Sequence, residues 1–67
     1  MKVYEIINDW QGLKAGTQLF GPYPIIGSMS LGYYTKENIP TDPKGGEMAF
    51  FASAIENNPL LFKNVTQ

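Results

Sequence analysis

Residues 48–65 read MAFFASAIENNPLLFKNV, and this C-terminal stretch is the most informative part of the chain. Its apolar residues at positions 48, 51, 52 and 55 have the i, i+3, i+4, i+7 spacing of a helix. Ser53 and Glu56, however, have the spacing of a capping box, which would start a helix only at residue 54. Pro59 ends the helix in either case. We predict a strand over residues 48–52 and a short helix over residues 54–57, with one helix over residues 48–57 as the alternative.

Three strands are predicted upstream of this stretch, and one more is predicted within it after Pro59. Residues 2–7 carry apolar side chains on both alternating faces, which is typical of a short strand packed on two sides. Residues 17–20 form a second strand that Gly21 and Pro22 should end, and residues 22–24 read as a sheet edge or an extended crossing. Residues 29–36 alternate as a third strand, in which Gly32 indicates a bulge or a close approach. Residues 60–65 give the last strand.

Two loops separate these strands. Residues 9–17 contain two glycines, and Gly16 is placed to adopt a left-handed conformation just before the second strand. Residues 36–46 contain two prolines and two adjacent glycines, and we predict that this longest loop is mobile. The predicted fold is therefore a mainly β single domain over residues 1–67. It is a small antiparallel barrel or roll of four to five short strands with one short helix near the C-terminus.

Composition excludes several classes of chemistry. The 67 residues include five lysines and six acidic residues, for a net charge of −1, and no histidine or cysteine. No arginine occurs either. Zinc, haem and iron–sulfur sites lack their usual ligands, nucleophilic triads lack their base, and arginine clamps on phosphate are absent. With no disulfide available, the hydrophobic core must hold the fold alone.

The acidic residues do not indicate a catalytic site. In a chain of this size a deep cleft for a carboxylate pair is hard to build around a core. Glu56 is better explained as the partner in a cap and Asp42 as a turn former. We therefore predict no enzymatic activity, no metal and no cofactor. The carboxylates concerned are Glu5, Asp9, Glu37, Asp42, Glu47 and Glu56.

Two short segments resemble small bacteriophage proteins that are rich in β-structure. Residues 12–17, GLKAGT, resemble the Gly-Leu-Lys-x-Gly-Thr/Asp element with which such proteins begin a strand. Residues 55–65, IENNPLLFKNV, resemble their closing element, roughly Ile-Glu-x-Asn-Pro-x-x-Phe-x-x-Val. Together the two segments cover about a quarter of the chain, and residues 21–46 depart from the pattern. The resemblance implies a compact β-rich accessory module of a phage or related element, and it carries over no catalytic residue.

Four aromatic residues are the candidate contacts with a partner, because tyrosine and tryptophan are enriched at the centres of protein interfaces. Adjacent Tyr33 and Tyr34 point to opposite faces of a strand, so we expect at most one of them in the core and the other facing solvent or a partner. Trp10, in a glycine-containing loop, is either a lid over the core or an interface anchor. The partner-binding candidates are Trp10, Tyr23, Tyr33 and Tyr34.

The leading functional hypothesis is a non-enzymatic protein-interaction module, an accessory or minor virion or assembly component of the phage type. Its partner would be another copy of itself, an assembly protein or a host protein. The alternative is a phage-encoded inhibitor of a host defence or metabolic protein, and the next is single-stranded nucleic-acid binding. The net charge of −1 disfavours nucleic acid, and no apolar stretch has the length of a signal peptide or a membrane span. We expect the protein in the host cytoplasm or in the virion.

Overall fold

One antiparallel sheet of five strands forms the molecule, in the order β4-β3-β2-β1-β5. The computed structural model describes residues 1–25, 27–39 and 49–66. The strands are β1 (Lys2–Ile6), β2 (Gln18–Pro24), β3 (Leu31–Thr35), β4 (Phe50–Phe51) and β5 (Phe62–Asn64). Within these ranges, helix α1 (Ala52–Glu56) follows β4, and a 3-10 turn covers Lys36–Asn38. The sheet curls into a half-barrel, so the predicted fold class is confirmed.

The hydrophobic core lies on the inner face of this sheet. Side chains alternate between the faces of a strand, and paired residues on neighbouring strands share a face. Tyr4 of β1 therefore lies beside Leu19 of β2, and Tyr33 of β3 lies beside Phe50 of β4. Helix α1 closes this face with two buried side chains. The buried core consists of Tyr4, Ile6, Leu19, Tyr33, Ala52, Ile55 and Phe62.

Trp10 bridges the two edges of the sheet. Its ring lies 5.0 Å from the ring of Phe50 on β4 and 5.0 Å from the ring of Phe62 on β5. These strands stand at opposite ends of the strand order, so a side chain that touches both lies across the open side of the curl. The hairpin that carries Trp10 is fixed by reciprocal backbone hydrogen bonds of 2.8 Å with Leu13. Its two central residues, Gln11 and Gly12, both have positive φ, as a type I′ turn requires.

The C-terminal prediction was right in order and wrong in detail. A strand followed by a short helix is present, but the helix starts at Ala52 and its N-cap is Phe51, with no side-chain cap. The predicted capping box between Ser53 and Glu56 does not form, because Glu56 instead accepts a hydrogen bond from Tyr33. Packing of the buried face of α1 against the sheet replaces the missing cap as the reason for the helix. Met48, the predicted start of the strand, lies outside the described residues.

Strand β2 does not end at Gly21 and Pro22, as the sequence suggested. It continues to Pro24 through a cis Gly21–Pro22 bond and a register shift between Phe20 and Tyr23. The extension is possible because β1 begins at Lys2, opposite Gly21, so Pro22 and Pro24 have no strand on that side to which an N–H would have to donate, and residues 23 and 24 pair with β3 alone. Residues 22–24 thus form a sheet edge, as predicted, on the side that faces away from β3.

The glycine predictions are confirmed at two positions. Gly16 has a φ of +92° before β2, the left-handed region that favours glycine. Gly32 is a close approach, since a Cβ there would lie 2.9 Å from Ile25 Cδ1 and 3.0 Å from Ala49 Cβ. Of the loop predicted over residues 36–46, residues 36–38 form the 3-10 turn and residues 40–46 lie outside the described residues. In the described ranges, no helix is long and apolar enough to cross a bilayer.

Candidate docking face

Tyr33 and Tyr34 are both fully buried, so the expectation that one of them faces solvent is wrong. They do point to opposite faces, but each face is covered at this point. On the inner face, the Tyr33 ring meets the Tyr4 ring edge-on at 5.4 Å. On the outer face, the Tyr34 ring meets the Tyr23 ring at 6.0 Å in the same kind of contact. Neither of the two adjacent tyrosines offers exposed ring surface to a partner.

The Tyr33 hydroxyl has a strong partner inside the fold. It donates a hydrogen bond of 2.6 Å to Glu56 Oε2 on α1, and the same oxygen lies 3.7 Å from Lys2 Nζ. Burial, then the hydrogen bond to Glu56 and the charge of that carboxylate, raise the pKa of Tyr33 well above its usual range. This hydroxyl therefore ties the helix to the sheet and stays protonated at all physiological pH values.

The Tyr34 hydroxyl is buried without a hydrogen-bond partner in the described part of the chain. An unsatisfied buried hydroxyl costs about 1–3 kcal/mol of folding free energy. The hydroxyl groups of the two neighbouring tyrosines are therefore expected to change the folding free energy in opposite directions, the one on Tyr33 stabilising the fold and the one on Tyr34 destabilising it.

The four predicted aromatic contacts do not form one site. Trp10 and Tyr33 belong to the inner side of the sheet, whereas Tyr23 and Tyr34 lie on the outer side. Trp10 is half-buried against Phe50 and packs on the core, which agrees with its interpretation as a lid. Tyr23 is also half-buried, and its hydroxyl lies 3.7 Å from the Met1 sulfur. That Trp10 or Tyr23 contacts a partner stays a prediction, whereas Tyr33 and Tyr34 are too deeply buried to do so in this fold.

The outer face has a covered part and an open part. Ile25 and Ala49 lie over Gly32 on β3, and Tyr34 is buried on the same face with its ring against that of Tyr23. Farther along the same face, a row of apolar side chains crosses β2, β1 and the residue that follows β5, and it remains half-exposed. Direct pairing aligns Val3 with Phe20, and a 2.8 Å hydrogen bond from the Val65 N–H to the Val3 carbonyl brings Val65 alongside. The open apolar row consists of Val65, Val3 and Phe20.

A groove of about 310 Å³ lies over this row. Four of its six lining side chains are apolar, and one of them, Met1, is 76% exposed. We call it the outer groove. It is lined by Met1, Val3, Gln18, Phe20, Val65 and Thr66.

A second groove of the same volume, about 310 Å³, lies on the other side of the Phe20 side chain. The two grooves share Gln18 and Phe20, so the Phe20 ring stands as a ridge between them. Because most of its lining is polar, we call it the polar groove. It is lined by Gly16, Thr17, Gln18, Phe20, Thr35, Lys36 and Glu37.

The charges around the two grooves are balanced. Glu5 and Lys63 are direct cross-strand neighbours on β1 and β5, in the register that puts both on the outer face. Lys36 and Glu37 line the polar groove as a second cation and anion. The open face therefore carries no net charge from these four groups, which favours neither a polyanion nor a polycation as its ligand.

Metal binding has no support in the described residues, which contain no cluster of three possible ligands. Of the six carboxylates, Asp42 and Glu47 lie outside the described residues. Asp9 accepts a hydrogen bond from the Ala15 N–H at 2.9 Å, so it has the structural role expected of a turn former. Glu56 is engaged by Tyr33 and Lys2.

Comparison with protein-family models, with curated proteins and with solved structures finds no match to this chain. The open apolar row is therefore the feature with which a functional argument can start. Sequence reasoning did not select Phe20 or Val65, although the signal was partly visible. Val3 alternates with two core residues in the first strand, and this placed an apolar group on the second face of the sheet.

Proposed function

We propose that this protein is a non-enzymatic protein-interaction module that docks through the open part of its outer sheet face. The observation that carries the proposal is the half-exposed apolar groove over Val3, Phe20 and Val65. Apolar side chains aligned across three strands, and left open on one face of a small sheet, are the usual composition of a protein-binding surface. The balanced charges around the groove support a protein ligand over a nucleic acid, which would call for a basic surface.

The resemblance of residues 12–17 and 55–65 to small phage proteins supports a more specific form of the proposal. In that form the chain is an accessory or minor assembly component that acts in the virion or the host cytoplasm. Both segments also have local structural reasons for their sequence. Gly12 and Gly16 occupy positive-φ positions, and residues 58–61 form the turn into β5. The resemblance thus adds to the proposal without carrying it.

The test compares the unmodified protein with two charge variants. Phe20→Glu places a carboxylate in the ridge of the docking face, while Leu60→Glu adds the same charge at a side chain that is 86% exposed and outside both grooves. Each protein is immobilised and exposed to a lysate of the source cells. Every retained protein is then purified and titrated calorimetrically against all three forms.

We expect a partner that binds the unmodified protein and the Leu60→Glu variant equally, and binds Phe20→Glu at least tenfold more weakly. A partner that tolerates Phe20→Glu would refute the docking face. A labelled single-stranded oligonucleotide, titrated at two salt concentrations, provides a second arm. Salt-dependent affinity that Phe20→Glu abolishes would assign the face to nucleic acid instead.

A further inference from the structure

The outer groove and the side chain best suited to fill it belong to the same chain. Phe20 stands as a ridge beside the outer groove, and the groove is apolar on the sides formed by Met1, Val3 and Val65. A cavity of about 150 Å³ is enough to hold a benzene molecule, so this groove of about 310 Å³ has room for a phenyl ring. A ridge next to a matching groove is the arrangement that a two-fold interface requires.

We propose that the occupant of the outer groove is a second copy of this chain, with Phe20 of each copy inserted into the outer groove of the other. The inference rests on the docking role proposed for the outer face and names its partner. Two sheets would then stack face to face, as in a β-sandwich, with the apolar rows in contact. The polar groove on the far side of Phe20 offers a poorer fit, because Lys36 and Glu37 line it.

Charge favours the same occupant. The four charged side chains around the open face, Glu5, Lys63, Lys36 and Glu37, balance one another, and the whole chain has a net charge of only −1. Two identical faces therefore approach without strong repulsion. Glu5 and Lys63 lie side by side, so a two-fold axis that passed between them would place Glu5 of each copy near Lys63 of the other.

The size of the open face predicts a weak dimer. The two grooves together are lined by eleven residues, from six and seven with Gln18 and Phe20 shared. A standard interface uses about 20–30 residues on each side. We therefore expect self-association in the range of tens of micromolar, within the class of small transient interfaces.

Sedimentation equilibrium of the full chain from about 1 to 500 μM tests the proposal over the range in which such an interface would assemble. We expect the unmodified protein to pass from monomer to dimer, and Phe20→Glu to weaken association at least tenfold. Gln18→Glu is the gentler variant, since Gln18 is exposed, lines both grooves and can change without disturbing the core. It should weaken association severalfold, while Leu60→Glu, with the same change of charge, leaves it unaltered. Circular dichroism establishes that each variant is folded.

A protein that stays monomeric at 500 μM would overturn the inference, as would a dimer that tolerates both Phe20→Glu and Gln18→Glu. Loss of the dimer in Leu60→Glu would also overturn it, because the effect would then be one of net charge. A monomer whose Phe20 is still required to bind a different protein would refute only this inference. A monomer that binds no protein at all would refute the proposed function as well.

Discussion

Replacing each of the two adjacent tyrosines by phenylalanine should change stability in opposite directions. Tyr33→Phe removes the hydroxyl that donates a 2.6 Å hydrogen bond to Glu56. Tyr34→Phe removes a hydroxyl that is buried without a partner among the described residues. Both rings are fully buried and neighbours in sequence, so each variant is the matched control of the other.

The expected magnitudes follow from the surroundings of each hydroxyl. A hydrogen bond to a charged group contributes about 1.5–3 kcal/mol. Glu56 keeps a nearby lysine and remains partly open to water, so the loss in Tyr33→Phe should fall at the lower end, about 1.5 kcal/mol. Removing the unsatisfied Tyr34 hydroxyl should recover about 1 kcal/mol. For a domain of this length, these values correspond to a Tm roughly 6–12 °C lower and 4–8 °C higher, respectively.

Chemical denaturation at pH 7 with a common m-value, together with thermal melts, measures both changes. The contrast between the variants amounts to about 2.5 kcal/mol, which is well above the error of such measurements. Equal destabilisation by the two substitutions would show that ring packing alone decides the outcome. It would refute the assignment of opposite roles to the two hydroxyl groups.

Three further predictions concern the same fold. Because the pKa of Tyr33 is raised, the unfolded chain releases this proton above about pH 10 while the folded chain keeps it, so stability should fall as pH rises from there, by up to about 1.4 kcal/mol per pH unit. The free energy of unfolding, measured at pH 9–11.5, should lose part of this slope in Tyr33→Phe. An unchanged slope would contradict the origin proposed for it. Trp10→Ala should lower the free energy of unfolding, measured by urea denaturation, by about 2–3 kcal/mol, because it removes the half-buried ring that joins the two sheet edges. Trp10→Phe should lower it about half as much. A decrease below about 0.5 kcal/mol for Trp10→Ala would show that the edges do not need the bridge. Gly21→Ala should be more destabilising than Gly32→Ala. A new Cβ would lie 2.7 Å from the backbone carbonyl oxygen of Gly32 in the first case, whereas in the second its shortest contact, 2.9 Å, is with the end of the Ile25 side chain, which can move, and only the 3.0 Å contact with the Ala49 Cβ is fixed. The reverse order of Tm values would refute this explanation.

The fold class could be predicted because the alternation of side chains is local information. Short runs of β-branched and aromatic residues in β1 and β3 mark strands regardless of their partners, and turn residues separate them. The start of the helix could not be predicted in the same way. Ser53 and Glu56 have the spacing of a capping box, but Glu56 contacts Tyr33 from a strand 23 residues earlier. A long-range hydrogen bond outcompetes a local one here, and nothing in residues 52–57 indicates that.

The burial of both adjacent tyrosines was unpredictable for a similar reason. Alternation correctly assigns Tyr33 and Tyr34 to opposite faces, and the error was to treat one face as open. The Tyr34 ring is covered in part by Tyr23, whose ring meets it at 6.0 Å, while Ile25 and Ala49 approach Gly32 on the same face. The sequence marked Gly32 as a close approach without showing which residues approach it.

That partial cover is what gives the outer face its functional interest. Over β3 the chain supplies its own covering residues and buries Tyr34 completely, whereas over β5, β1 and β2 it leaves Val3 and Phe20 half-exposed. The inner core does not need these side chains, since they point away from it. A polar residue at position 20 would therefore cost the fold less than a change at the neighbouring Leu19, which is fully buried. Stability and docking are thus separable on adjacent residues of one strand, and this separation is what allows Phe20 to be tested for binding in a folded protein.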